Sequence, residues 1–248
     1  AAEATYTSVL EIIRNAQGPK HSSLGTVHLN LGLLALARGE VSQAIAELRH
    51  ALAICEDGLP PDHPEIGNIW RELGNAYLSA GELDAAEQAF RRAQAVRLRT
   101  FGPGHSSSTQ ALACVGQVQL RRGQFAEAEQ TLLQAIRESQ GPPDEPMLAV
   151  AEAALGKLRL AQERLPEAIA LLEPALKHME KQSGGIDDEI ASAQFALARA
   201  RLRLDPGEVA RGRVLAETAR TGFLRLGAQF KREVAQIDQW LAGAPSGR

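Results

Sequence analysis

Aromatic residues make up only 4% of this 248-residue chain. Its core therefore cannot be assembled around large rings and must come from many small contacts. Cysteine is almost missing: Cys55 and Cys114 stand 59 positions apart (114−55), a spacing that fits neither a zinc ligand set nor a redox pair. Both are expected to be free packing thiols in a reducing compartment, which points to the cytoplasm. The sequence holds no apolar run of about 18 residues, so no membrane partner is expected, and no leader peptide or polybasic segment is visible. A formal net charge of −3 and a pI of about 6.1 provide no basic footprint, which argues against nucleic acid. Sequence signatures of a nucleophile elbow, a P-loop, a His-Glu-x-x-His helix or a dinucleotide fingerprint are lacking, so neither catalysis nor a cofactor is expected. The chain opens at Ala1 without an initiator Met, already inside a helical pattern, and reads as a segment of a longer protein.

What fills the chain instead is Ala, Leu, Arg, Glu and Gln, strong helix formers that lose little side-chain entropy on folding. They recur with a period. Leu31-Gly32 returns as Leu73-Gly74, Val115-Gly116 and Leu155-Gly156, at steps of 42, 42 and 40 (74−32, 116−74, 156−116), with a degraded copy at Leu197-Ala198. His21, His63 and His105 keep the 42-residue step, as do Gly39, Gly81 and Gly123. Markers sharing one period signal a stack of supersecondary units.

Residues 70–93 identify the unit, with Trp70, Leu73, Gly74, Tyr77, Gly81, Ala86, Phe90 and Ala93 in order. This resembles the tetratricopeptide repeat (TPR) signature. The other copies are looser: His28 stands at the Trp position of the first, and Glu163 replaces the turn glycine of the fourth. The surplus over the usual unit of about 34 residues sits at residues 59–66 and 101–108. Long units with such connectors resemble the kinesin-light-chain type, and also arrays appended to bacterial Ser/Thr kinases.

The resemblance implies an all-α, right-handed α-α superhelix (TPR solenoid) of about five helix pairs plus terminal helices. Residues 1–222 form the array, with a remnant helix B in 1–20 and repeats starting near 25, 67, 109, 149 and 191; residues 223–248 supply a capping helix and tail. Each turn glycine is expected to take positive φ at the end of helix A. Gly32, Gly74, Gly116 and Gly156 fall mid-helix, where Gly costs about 1 kcal/mol against Ala. Close approach of helix B through Ala44, Ala86, Ala128 and Ala168 is the expected compensation. Leu48, Phe90, Leu132 and Leu172 are expected to fill the gap to the next unit. Ser22, Ser107 and Asp188 are the expected caps of the following helices A. The amphipathic residues 229–241 should cover the last repeat, leaving residues 242–248 as a disordered tail.

The in-phase histidines cannot share one ion, because equivalent points on successive repeats lie about 8–10 Å apart whereas ligands stand about 2 Å from a metal. No metal site is expected, and local hydrogen bonding is the expected role of these histidines.

The family resemblance implies that helix A residues at signature positions 2, 5, 9 and 13 line a concave groove. In the first copy these are Thr26, Leu29, Leu33 and Ala37; in the second, Asn68, Arg71, Asn75 and Ser79. The third gives Gln110, Ala113, Gln117 and Arg121, and the fourth Val150, Ala153, Lys157 and Ala161. The fifth gives Ser192, Phe195, Arg199 and Arg203. No acid occurs in this set, so the expected ligand is an acidic peptide or protein segment. Leu29 and Leu33 would anchor it apolarly, Asn68, Asn75, Gln110 and Gln117 would clamp its backbone, and Arg71, Arg121, Lys157, Arg199 and Arg203 would pair with its carboxylates. A chaperone-tail carboxylate clamp is matched by Arg71 and Asn75 but broken by Cys114, Val150 and Ala154. The implied function is a protein–protein interaction scaffold, a regulatory part of a larger bacterial signalling protein; a kinesin-light-chain-like cargo adaptor and a peptide-ligand sensor are the alternatives.

Overall fold

The computed structural model describes residues 2–18, 21–139, 146–181 and 186–243. Among these residues there are twelve α-helices, two short 3-10 turns and no strand. The chain divides into two compact units, residues 1–102 and 103–248. The first holds α1 (Ala2–Gln17), α2 (Ser22–Arg38), α3 (Val41–Gly58), α4 (Pro64–Ala80) and α5 (Leu83–Phe101). The second holds α6 (Ser106–Arg121), α7 (Phe125–Glu138), α8 (Pro146–Ala161), α9 (Leu165–Met179), α10 (Asp187–Leu204), α11 (Val209–Leu226) and α12 (Lys231–Gly243). From α2 to α11 the helices pair as A and B: α2 with α3, α4 with α5, and so on to α10 with α11.

The A-to-B turns repeat one hydrogen-bonding scheme. Gly39 takes φ 78°; its N–H donates to Leu36 O at 2.8 Å, and the next N–H, of Glu40, donates to Ala35 O at 2.9 Å. Gly81 and Gly123 do the same at φ 80° and 75°. These are Schellman endings, in which a residue without Cβ enters the left-handed region at little cost. The fourth turn forms the same pair of bonds (Glu163 N–H to Leu160 O, Arg164 N–H to Arg159 O) with a side chain in the glycine's place. Glu163 sits at φ 62°, a conformation that costs an L-residue roughly 1–2 kcal/mol.

The mid-helix glycines accept a different neighbour from the one their spacing suggested. A Cβ at Gly74 would lie 2.5 Å from Phe90 Cε1, and one at Gly116 would lie 2.7 Å from Leu132 Cγ. At Gly32 and Gly156 the nearest atoms are Leu48 Cγ and Leu172 Cγ, at 2.7 and 2.8 Å. The large residue of helix B, sixteen positions on, thus seats into the glycine notch of its own helix A, while Leu132 and Leu172 also share a core cluster with the following helix A, as expected. The small Ala44 and Ala168 contribute through their carbonyl oxygens, 3.4 and 3.3 Å from the same points. Leu48, Phe90, Leu132 and Leu172 are all 0% exposed.

Helix A starts also depart from expectation. The capping side chains are the in-phase histidines: Nδ1 of His21, His63 and His105 accepts from the backbone N–H of Ser23, Glu65 and Ser107, at 3.3, 3.2 and 3.2 Å. Ser22 and Ser107 fall inside the first turn, and Asp188 is the second residue of α10, whose start has no side-chain cap. Pro64 fits at the first turn of α4, where its missing N–H would have had no partner. Part of the expected connector surplus is helical, because α4 begins at Pro64 and α5 extends to Phe101. That extension lets Thr100 Oγ1 donate to Asp62 O, and Arg99 Nη2 to Pro61 O at 3.4 Å, so the end of α5 pins the 59–63 connector.

In the second unit Ile237 of α12 is fully buried in a cluster with Phe195, Ala198, Ala216, Ala219 and Phe223. Trp240 meets Phe195 edge to face at 5.8 Å. The helix runs through Gly243, two residues into the expected tail; residues 244–248 lie outside the described residues.

Candidate functional site

Each unit presents a row of A helices: α2 and α4 in the first, α6, α8 and α10 in the second. In the first unit Leu33 is exposed and Leu29 half-buried. Thr26 Oγ1 donates to Glu65 at 2.5 Å, which ties α2 to α4. Asn68 is engaged from helix B, accepting from Arg97 Nη2 at 2.8 Å. Arg71 pairs with Glu72, and Asn75 Nδ2 donates to the other Glu72 oxygen at 3.0 Å. The two residues that matched a carboxylate clamp thus hold a carboxylate of their own chain.

The second unit repeats this on a larger scale. Glu189 of α10 accepts from Gln117 Nε2 of α6 at 2.9 Å and from Lys157 Nζ of α8 at 3.1 Å. Lys157 also donates to Ser192 Oγ at 3.2 Å. Two expected groove residues, Gln117 of α6 and Lys157 of α8, therefore converge on one carboxylate of α10, and a third, Ser192, anchors the Lys157 ammonium beside it. Burial alone would raise the Glu189 carboxyl, but the Lys157 charge, hydrogen bonds from Gln117 and Lys157, and the charge of Arg121 hold it below its ordinary value. Burial and the Glu189 charge push the adjacent Asp188 carboxyl up to about 6.

The remaining expected cations are also engaged. Arg121 lies 3.6 Å from Glu233 of α12, and Arg203 lies 2.7 Å from Glu163. Arg199 stacks over the Phe195 ring at 5.7 Å and forms no ion pair among the described residues. Burial, then the charge of Arg203, lower its pKa against the opposing pull of Glu163. Other family-derived positions are not on the surface. Ala113, Val150, Ala153 and Phe195 are buried at 0, 2, 0 and 8% exposure, and Ala154, a clamp position, is buried as well. Gln110 is half-buried.

The family described as the MalT-like TPR region matches residues 1–224. This chain belongs to that family. None of the curated proteins matches it in sequence. Among solved structures it is similar to the nearly identical TPR-like repeats of a kinesin light chain candidate from Podosopora anserina, at 23% identity over 81% of this chain and 95% of that one, TM-score 0.55. It is similar also to BtubC (BKLC) from P. vanneervenii, at 15% identity over 100% of this chain and 92% of that one, TM-score 0.61. A third is PH0952 of Pyrococcus horikoshii, a signal transduction ATPase with numerous domains and a tetratricopeptide repeat sensor. It matches at 15% identity over 98% of this chain but 34% of that one, TM-score 0.58. At these identities the likeness is one of fold.

The MalT-like TPR region is thus an all-α TPR array, a fold that serves as a protein–protein interaction scaffold and is typically non-catalytic. No described helix is long and apolar enough to cross a membrane. Neither cysteine forms a disulfide among the described residues; burial first, then the Glu65 and Glu56 charges, push the Cys55 thiol up to about 11, which makes it a packing group and not a nucleophile. Sequence reasoning missed Glu72, Glu163, Glu189 and Glu233, because each lies outside the positions taken as groove-lining. A signal was available in part: Glu189 precedes Ser192 by three positions, within one helical turn of it.

Proposed function

We propose that this MalT-like TPR region is the partner-binding, regulatory segment of a larger bacterial signalling protein, and that the A-helix face of its second unit receives an acidic peptide segment. The convergence of Gln117 and Lys157 on the Glu189 carboxylate, with Lys157 also held by Ser192, supports this reading. An amide donor from α6 and an ammonium donor from α8 meet where one carboxylate of α10 is held, and charge-assisted bonds of this kind are among the stronger polar contacts. A partner's Asp or Glu side chain would exchange with Glu189 for the Lys157 ammonium. Arg199, stacked on Phe195, would take a second carboxylate nearby.

Fluorescence anisotropy with a labelled Glu-rich peptide, and with a counterpart carrying Lys at each acidic position, tests this. The acidic peptide is expected to bind preferentially, with affinity that falls as salt rises. Lys157→Gln should weaken it about tenfold, and Glu189→Gln should tighten it by a similar factor, about 1.4 kcal/mol. Equal binding of the two peptides, or indifference to both substitutions, would overturn the proposal.

A further inference from the structure

The first helix pair gathers metal-ligating side chains that the repeat pattern does not require. His28 of α2 stands where the second copy has Trp70. Glu47 and His50 lie three apart on α3, one turn along the same face. One ligand atom from each of the three residues falls within 4.8 Å of the others. His28 Nδ1 and Glu47 Oε2 are 2.7 Å apart, and the two imidazoles meet edge to face at 5.6 Å between centroids.

These residues depart from the repeat together. Counting from each mid-helix glycine, the equivalent positions are Trp70, Ala89 and Arg92 in the second copy and Leu112, Thr131 and Gln134 in the third. In the fourth they are Glu152, Leu171 and Pro174. Only the first copy places donors at all three. Nothing in the packing of a helix pair demands that combination, since the other copies build the same pair without it.

We propose that His28, Glu47 and His50 form a site for one divalent transition-metal ion of the Zn2+ class. Two imidazoles and a carboxylate suit Zn2+ or Co2+ and not Mg2+ or Ca2+, which take oxygen ligands. Zinc stands about 2.0–2.2 Å from such donors, so tetrahedral ligands lie about 3.4 Å apart. Small side-chain rotations close the observed cluster to that distance. Three protein ligands leave the fourth position for water, and the exposed His50 gives the ion a way in. Glu47 exchanges its hydrogen bond to His28 for the metal. The bound ion cross-links α2 to α3 and so stabilises the first pair. The connector histidines play no part in it, since their Nδ1 atoms are occupied as caps.

Isothermal titration of the full chain with Zn2+ alone, in chelator-free buffer, is the test. Wild type should bind one ion, with a rise in the midpoint of thermal unfolding that Mg2+ does not produce. His50→Ala, a change at an exposed side chain, should weaken binding at least tenfold and remove the rise in midpoint, and so should Glu47→Gln. His105→Asn should leave both intact. The proposal fails if wild type takes up no Zn2+, or if His50→Ala binds as wild type does. It fails equally if the loss follows His105 instead. Should Glu47→Gln not fold, His50→Ala decides alone.

Discussion

Gly74→Ala is expected to destabilise the first unit, although Ala is the better helix former by about 1 kcal/mol. The added Cβ would lie 2.5 Å from Phe90 Cε1 and 2.7 Å from both Cδ1 and Cζ. Phe90 is 0% exposed, so its ring can retreat only by disturbing the core, and overpacking of this kind costs about 1–3 kcal/mol. The net expectation is a loss of up to about 2 kcal/mol, the steric term less the propensity gain. Two further glycines calibrate it. At Gly67 the nearest atoms are Arg97 Cγ at 3.2 Å and Val96 Cγ1 at 3.4 Å, and Gly67→Ala should be close to neutral. At Gly212 nothing lies nearer than Ala198 O at 3.4 Å, and Gly212→Ala should gain up to about 1 kcal/mol.

Urea titration followed by far-ultraviolet circular dichroism measures all three variants as shifts in midpoint. Phe90→Ala alone should cost about 3–5 kcal/mol; on that background Gly74→Ala should change sign and stabilise. If Gly74→Ala moves the midpoint the same way as Gly212→Ala, or keeps its sign once Phe90 is gone, the notch is not what the glycine is for.

Glu163→Gly should raise stability by roughly 0.5–1 kcal/mol, the left-handed strain of about 1–2 less the entropy cost of glycine; a lower midpoint would mean that the Arg203 pair outweighs the strain. His63→Ala should cost about 0.5–2 kcal/mol, as for other N-caps, with hydrogen exchange accelerated at the first turn of α4; unchanged exchange there would deny the imidazole its capping role. A bond from Arg159 Nη2 to Glu129 at 2.6 Å holds the Glu129 carboxyl below its ordinary value. The stability this contributes is present in full above the unfolded pKa near 4.5 and is lost as pH falls through the lower folded value. Glu129→Gln should therefore flatten the acid limb of the stability curve and cost about 1–2 kcal/mol at neutral pH. An unaltered acid limb would contradict it.

The family and its all-α helix-pair fold were legible because both depend on the residue types that recur along the chain. A 42-residue period in glycine and histidine cannot be kept without a repeated turn, and positive φ at Gly39, Gly81 and Gly123 is that turn. The cap assignments failed for a local reason. Ser and Asp lead the general ranking of N-caps, so the caps were assigned to them, while the in-phase histidines were expected only to hydrogen-bond locally; that local bond, accepted by Nδ1 from the N–H two residues on, is the cap itself. Twelve positions and sixteen positions both bring helix B opposite the mid-helix glycines: Ala44 and Ala168 approach Gly32 and Gly156 through their carbonyl oxygens, as expected, but the side chain in each notch comes from sixteen positions on. Only the backbone separates them, by placing Leu48 or Phe90 in the notch.

The sign of the binding face was the least legible feature, and the cause lies in how groove positions are counted. A solenoid exposes every residue within reach of a groove side chain, including those one turn away on the same helix or on the neighbouring pair. Arg71 is met by the next residue on its own helix, Lys157 by Glu189 from the following helix A, and Arg121 by Glu233 from the terminal helix. Excluding acids from four positions per repeat therefore says nothing about the field above them. The second unit instead offers donors already ordered around the Glu189 carboxylate, which is exchangeable under the proposed function. Ordering them in advance lowers the entropy cost of a partner's binding, but displacing Glu189 costs an existing ion pair. Affinity would then depend on the difference between two carboxylates in the same setting. On the proposed reading, such a site would respond strongly to the partner's charge pattern while binding any single acid weakly, which would favour recognition of a patterned segment over capture of a lone terminal carboxylate.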